Sequence, residues 1–131
     1  MDTLAKILMI EDEPDIRAIA KLALEAVGGY TVELAESGAD AIAAYERFQP
    51  DLVLLDVMMP GMDGIETLRR LRSAGGGREP AVVFMTAKVQ RHEIEQYLAL
   101  GALDVISKPF DPMTLSTVVQ QIWDRRNGAA G

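Results

Sequence analysis

The chain has no cysteine among its 131 residues. That single absence excludes a disulfide framework, a thiolate metal site and a cysteine nucleophile. No apolar run approaches the ~20 residues that a membrane-spanning helix requires. The residues after Met1 pass into a strand-like run at Ile7 without the charged, apolar and small-residue zones of a secretory leader. Basic residues are outnumbered: 13 Lys and Arg face 20 Asp and Glu, a formal net charge of −7. The sign is wrong for gripping a phosphate backbone, so direct nucleic-acid binding is not expected. One histidine is present, His92, and its place near a helix start suits surface or capping duty better than metal ligation. A globular chain of this length buries about two-thirds of its surface and needs no covalent staples. The expectation is a soluble, acidic, cytoplasmic protein of one domain.

Five short apolar segments recur along the chain: Ile7–Ile10, Val32–Leu34, Leu52–Leu55, Ala81–Met85 and Val105–Ile106. Four are unbroken runs, the pattern of strands covered on both faces. The second alternates and belongs at a sheet edge. Helical spacing links Ile16, Ile19, Ala20, Ala23 and Val27, then Ile42, Tyr45 and Phe48. It continues in Ile65, Leu68 and Leu71, in Ile94 and Leu98, and in Leu115, Val118, Val119 and Ile122. Glu13-Pro14 and Asp111-Pro112 place proline at first helical positions. Ser37 with Asp40, and Asp63 with Glu66, have capping spacing, while Gly28-Gly29 and Gly101 mark helix ends. Alternating strands and helices joined by right-handed crossovers give a parallel sheet with helices on both faces. The fold class is α/β with five strand–helix units. The domain is expected to span residues 1–127, with 128–131 a flexible tail or linker stub. The glycine-rich stretch from Ser73 to Arg78 reads as a flexible loop, and it lacks the Gly-Lys-Ser/Thr ending of a nucleotide loop.

Open parallel sheets bind ligands beyond the carboxyl ends of their strands. Those ends carry Glu11 and Asp12, Asp56, Thr86, and Lys108-Pro109. Each alone could be a solvated loop or a cap; together they make a cleft with three carboxylates, one hydroxyl and one ammonium. Like charges so placed need raised pKa values or a cation. Oxygen donors without a nearby His or Cys point to a hard divalent ion, and Mg²⁺ fits a few carboxylates plus water and phosphate oxygens.

The chain resembles the receiver domain of bacterial two-component response regulators. The resemblance is carried over nearly its whole length by Ile10-Glu11-Asp12-Glu13, Asp56-Val-Met-Met-Pro-Gly-Met-Asp-Gly64, Met85-Thr86-Ala87 and Ser107-Lys108-Pro109-Phe110. It implies a flavodoxin-like strand order 2-1-3-4-5. It further implies that Asp56 accepts a phosphoryl group from a histidine kinase or phosphotransfer protein. Glu11, Asp12 and Asp56 would hold Mg²⁺ together with the Met58 backbone carbonyl, Asp12 directly and Glu11 through water. Lys108 and Thr86 would meet the phosphoryl oxygens, and a cis Lys108–Pro109 bond would aim the lysine inward. Position 105, often aromatic in the family, is Val105, so the usual aromatic readout is missing. Met58 and Lys88 occupy positions that tune phosphoryl lifetime.

The module implied is a phosphorylation-switched binding protein rather than an enzyme acting on other molecules. It would signal through the face of the fourth helix, fifth strand and fifth helix, with Tyr97 and Trp123 as contact residues. It would be a monomer or a phosphorylation-dependent dimer, either stand-alone or the receiver of a longer regulator. Two other functions fit less well. An aspartate-dependent phosphohydrolase needs an acid where Met58 stands. A flavin carrier needs a phosphate-binding loop where Glu11-Asp12-Glu13 would repel phosphate.

Overall fold

A computed structural model describes residues 3–74 and 79–130. The elements are β1 (Lys6–Ile10), α1 (Pro14–Leu22), β2 (Thr31–Ala35), α2 (Gly38–Phe48), β3 (Leu52–Asp56), α3 (Gly64–Ala74), β4 (Val82–Thr86), α4 (Arg91–Ala99), β5 (Asp104–Ser107) and α5 (Leu115–Ala130). All four strand pairings are parallel, and the order is β2-β1-β3-β4-β5. The alternating strand stands at an edge, and the unbroken runs β1, β3 and β4 fill the centre. Parallel pairing forces every strand to end on the same side of the sheet, and the chemistry-bearing residues follow those ends.

The sheet separates two cores. On one face Ile7, Met9, Leu54 and Met85 pack against Leu24 of the first helical segment and Val119 and Ile122 of α5. On the other, Leu8, Ile10, Leu55 and Phe84 meet Ala41, Leu68, Leu71 and Tyr97 from α2, α3 and α4. The alternation of strand side chains divides them, since successive residues point to opposite faces.

Local signals set the helix boundaries. Pro14 opens α1 after Glu13, which has extended backbone. The Ser37 hydroxyl accepts from the Asp40 amide at 3.1 Å, and Asp63 Oδ1 accepts from the Glu66 amide at 2.9 Å. Gly29 and Gly101 adopt φ of 75° and 100°, a region that favours glycine.

Several expectations are corrected. The first helix continues past Leu22 as a π-helical turn, Ala23–Val27. This widened turn rotates the later residues, burying Leu24 and leaving Val27 exposed. Ile19 and Leu98 also face outward, and the buried anchor of α4 is Tyr97. Tyr97 and Trp123 are both core residues, so neither is a surface contact. Asp111 does cap a turn, its Oδ1 accepting from the Met113 amide at 2.9 Å, but α5 proper starts at Leu115. The same helix extends through Ala130. Of the glycine-rich stretch, residues 75–78 lie outside the described residues. No helix among the described residues is long and apolar enough to cross a membrane.

Candidate functional site

Backbone ladders running past the strand ends fix the loops that carry the site. The Glu11 amide donates to Ala35 O at 3.0 Å, the Val57 amide to Met85 O at 3.1 Å, and the Lys108 amide to Thr86 O at 2.9 Å. The loop after β3 closes where the Gly64 amide donates to Val57 O at 2.9 Å. A Cβ on Gly64 would stand 2.4 Å from Asp56 O, so only glycine lets α3 start this close to the acceptor strand.

The structure brings Glu11, Asp12, Asp56 and Lys108 together. One oxygen from each acid lies within 4.8 Å of the others. The Lys108 ammonium bridges two of them, 2.5 Å from Glu11 Oε1 and 3.2 Å from Asp56 Oδ1. The Lys108–Pro109 bond is cis. Glu11 has no exposed surface and Asp56 is 3% exposed. Glu11 is occupied at both oxygens, since Oε2 accepts from the Glu13 amide at 3.2 Å. Asp56 Oδ1 also accepts from the Met58 amide at 3.3 Å. Among the described residues the half-buried Asp12 carboxylate has neither hydrogen bond nor ion pair, so its oxygens remain available for a cation.

One ammonium cannot neutralise three carboxylates. Burial first, and then the charge of Glu11, push Asp56 up to about 7, although Lys108 pulls the other way. For Lys108, burial lowers the pKa, but the hydrogen bond to Glu11 and the charges of Asp56 and Glu11 outweigh it, leaving the ammonium above the usual lysine value. The donor set therefore fits a hard divalent ion: oxygen ligands only, gathered within reach of one centre, with negative charge left over.

Thr86 is buried at the end of β4, and its Oγ1 accepts from the Lys88 amide at 3.1 Å. The Lys88 side chain and Met58 are exposed, and Val105 is half-buried opposite Phe84 in the strand register. His92 is exposed on α4. Sequence reasoning missed Arg17, whose Nη1 donates to Glu11 O and Asp12 O, both at 2.9 Å. Its only signal is position, five residues after Asp12 and within the first turns of the helix that the acidic loop opens.

A doubly wound parallel sheet with this acid–lysine cluster at its carboxyl edge defines a signalling receiver. Residues 7–120 match the response regulator receiver domain family, and the chain belongs to it. It is similar to the DNA-binding response regulator MtrA of Mycolicibacterium smegmatis, 37% identical over 116 residues, covering 88% of this chain and 49% of that protein. It thus spans about half the length of that relative. An uncharacterised 14.6 kDa protein of Leptolyngbya boryana is 36% identical, and there 92% of this chain covers 93% of the relative. Among solved structures, the chemotaxis response regulator CheY4 of Vibrio cholerae superposes with a TM-score of 0.82 at 30% identity, over 92% of this chain and 99% of that one.

Proposed function

We propose that Asp56 accepts a phosphoryl group from a phosphohistidine on a kinase or phosphotransfer protein, in a Mg²⁺-dependent reaction that switches a partner-binding face. The observation that carries this reading is the Lys108 ammonium shared between Glu11 and Asp56 beside the unpaired Asp12 carboxylate.

An Asp56 oxygen attacks phosphorus, the nitrogen–phosphorus bond breaks, and the departing imidazole takes up a proton. The product is an acyl phosphate. Two anions must approach for this to happen, and Lys108 is already placed at the attacking carboxylate to offset their repulsion. Asp12 and Asp56, with Glu11 beside them and the Met58 carbonyl, would hold Mg²⁺; when bound it supplies positive charge to the transferring oxygens. The Met58 amide, donating to Oδ1 at 3.3 Å, helps to orient the Asp56 carboxylate. Thr86 donates its hydroxyl to a phosphoryl oxygen once one arrives, since the Lys88 amide occupies only an acceptor site on Oγ1. Lys88 and Met58 flank the path of hydrolytic water and set the lifetime. The altered face comprises α4, β5 and α5, and the catalysis is confined to the domain's own modification.

The test is intact mass after incubation with a small acyl-phosphate donor. One phosphoryl group is expected, lost in Asp56→Asn and in excess chelator. Modification that survives either change overturns the assignment.

A further inference from the structure

We propose that Arg17 is the positioning residue of the acidic loop, holding the backbone so that Asp12 and Glu11 turn their carboxylates toward one cation. This rests on the reading of Glu11, Asp12 and Asp56 as a cation site. Arg17 lies early in α1, where its amide donates to Glu13 O at 3.0 Å. Its side chain folds back under the loop. There Nη1 donates to Glu11 O and to Asp12 O, each at 2.9 Å. Those carbonyls belong to the two peptide planes that flank Asp12, and their orientations decide where its carboxylate points. The other guanidinium nitrogen, Nη2, is 3.6 Å from Glu36 Oε2, just past β2. The Glu11 amide is meanwhile tied to Ala35 O. The loop is thus pinned to the end of β2 and to the first turns of α1 by one planar group. With 17% of the Arg17 side chain exposed and Glu11 fully buried, water is a poor substitute for the lost donors.

Coulomb's law and the positioning role predict opposite signs. A guanidinium close to a cation site repels the cation, so charge alone makes removal of Arg17 tighten Mg²⁺ binding. If the guanidinium aims the ligands, removal weakens it. Groups that orient metal ligands typically contribute about 10–100-fold in affinity.

The experiment is calorimetric titration of Mg²⁺ into the unphosphorylated wild type, Arg17→Gln and Arg17→Lys at constant ionic strength. Arg17→Gln is expected to bind about tenfold more weakly. Arg17→Lys keeps the charge and the stem but has no planar fork, so it is expected to recover only part of that loss. Hydrogen exchange in the metal-free variants should quicken at residues 11–13 while β3 and β4 keep their protection. Should Arg17→Gln fail to fold, Arg17→Lys carries the test alone. Variants that match or exceed the wild-type affinity overturn the positioning role. A wild type that binds no Mg²⁺ overturns the cation site and the role together, a failure distinct from the first.

Discussion

The ring of Tyr97 on α4 leans against Phe84 on β4, with centroids 5.3 Å apart and planes inclined at 55°. Phe84 lies two residues before Thr86 on the same face of the strand and is register-paired with Val105. The buried aromatic pair on this side of the sheet therefore comes from β4 and α4 rather than from position 105. Truncating a buried aromatic costs about 3–5 kcal/mol, so Tyr97→Ala should lower the denaturant midpoint sharply. Tyr97→Phe should stay within about 1 kcal/mol, because the hydroxyl has no hydrogen bond among the described residues. A larger loss in Tyr97→Phe than in Tyr97→Ala would contradict the packing account.

Asp56 makes the metal-free protein less stable as pH rises. Its folded pKa near 7 exceeds the ordinary 3.8, so between those values the native state binds more protons than the unfolded one. Stability then falls with increasing pH across that window. Asp56→Asn should remove this dependence, adding up to about 4 kcal/mol above pH 7 and almost nothing below pH 4. Chemical denaturation in chelator at several pH values measures it, and a flat difference between the two proteins refutes it.

Mg²⁺ should raise the melting temperature by about 2–8 °C when it exceeds its dissociation constant ~10–100-fold, a gain of about 1–3 kcal/mol. Binding should release protons near neutral pH, because the cation competes with the proton on Asp56. Calorimetry in buffers of different ionisation enthalpy reads that release directly.

Replacing Lys108 by methionine strands the fully buried Glu11 and leaves Asp56 beside it without a cation. Breaking a buried pair from one side costs about 3–5 kcal/mol. Part of that loss should return with Mg²⁺, which takes over the neutralising role. Equal destabilisation with and without the ion would mean that Lys108 and the metal do not share these carboxylates.

Met58 is exposed and apolar, with its amide on Asp56 Oδ1, and the Lys88 amide holds Thr86 Oγ1. Neither side chain is a base for hydrolytic water. Met58→Asn combined with Lys88→Glu should shorten the phosphoryl lifetime by about tenfold, less than the ~10²–10⁴ of a true general base. The decay of the phosphorylated protein, followed by intact mass, decides it.

The architecture was legible because hydrophobic runs and helical spacing are direct consequences of burial. The acid–lysine cluster was legible because parallel strands bring their ends together. What escaped has no side-chain signature. Arg17 acts on backbone carbonyls, and every residue has one. Val27, placed on the core face by helical spacing, is exposed at the end of the π-helical turn that interrupts the 3.6-residue rhythm. Tyr97 was expected as a contact residue on the signalling face, yet Phe84 gives its ring an apolar wall across the helix–sheet interface.

The strand order leaves β2 and β5 with one open side each, where another chain could extend the sheet, although side chains already take the Val32 amide (Glu25 Oε2, 3.4 Å) and the Val105 amide (Asp104 Oδ1, 2.7 Å). Both borders carry charge. Glu33 on β2 meets Arg47 of α2 at 2.7 Å, and Asp104 on β5 meets Arg125 of α5 at 2.7 Å. Such surface pairs contribute little to stability, about 0–1 kcal/mol each. Their consequence lies in crowded solution: a flat apolar border invites sheets to zip together into aggregates, and charged side chains on both rims discourage that growth while the carboxyl edge stays free for signalling.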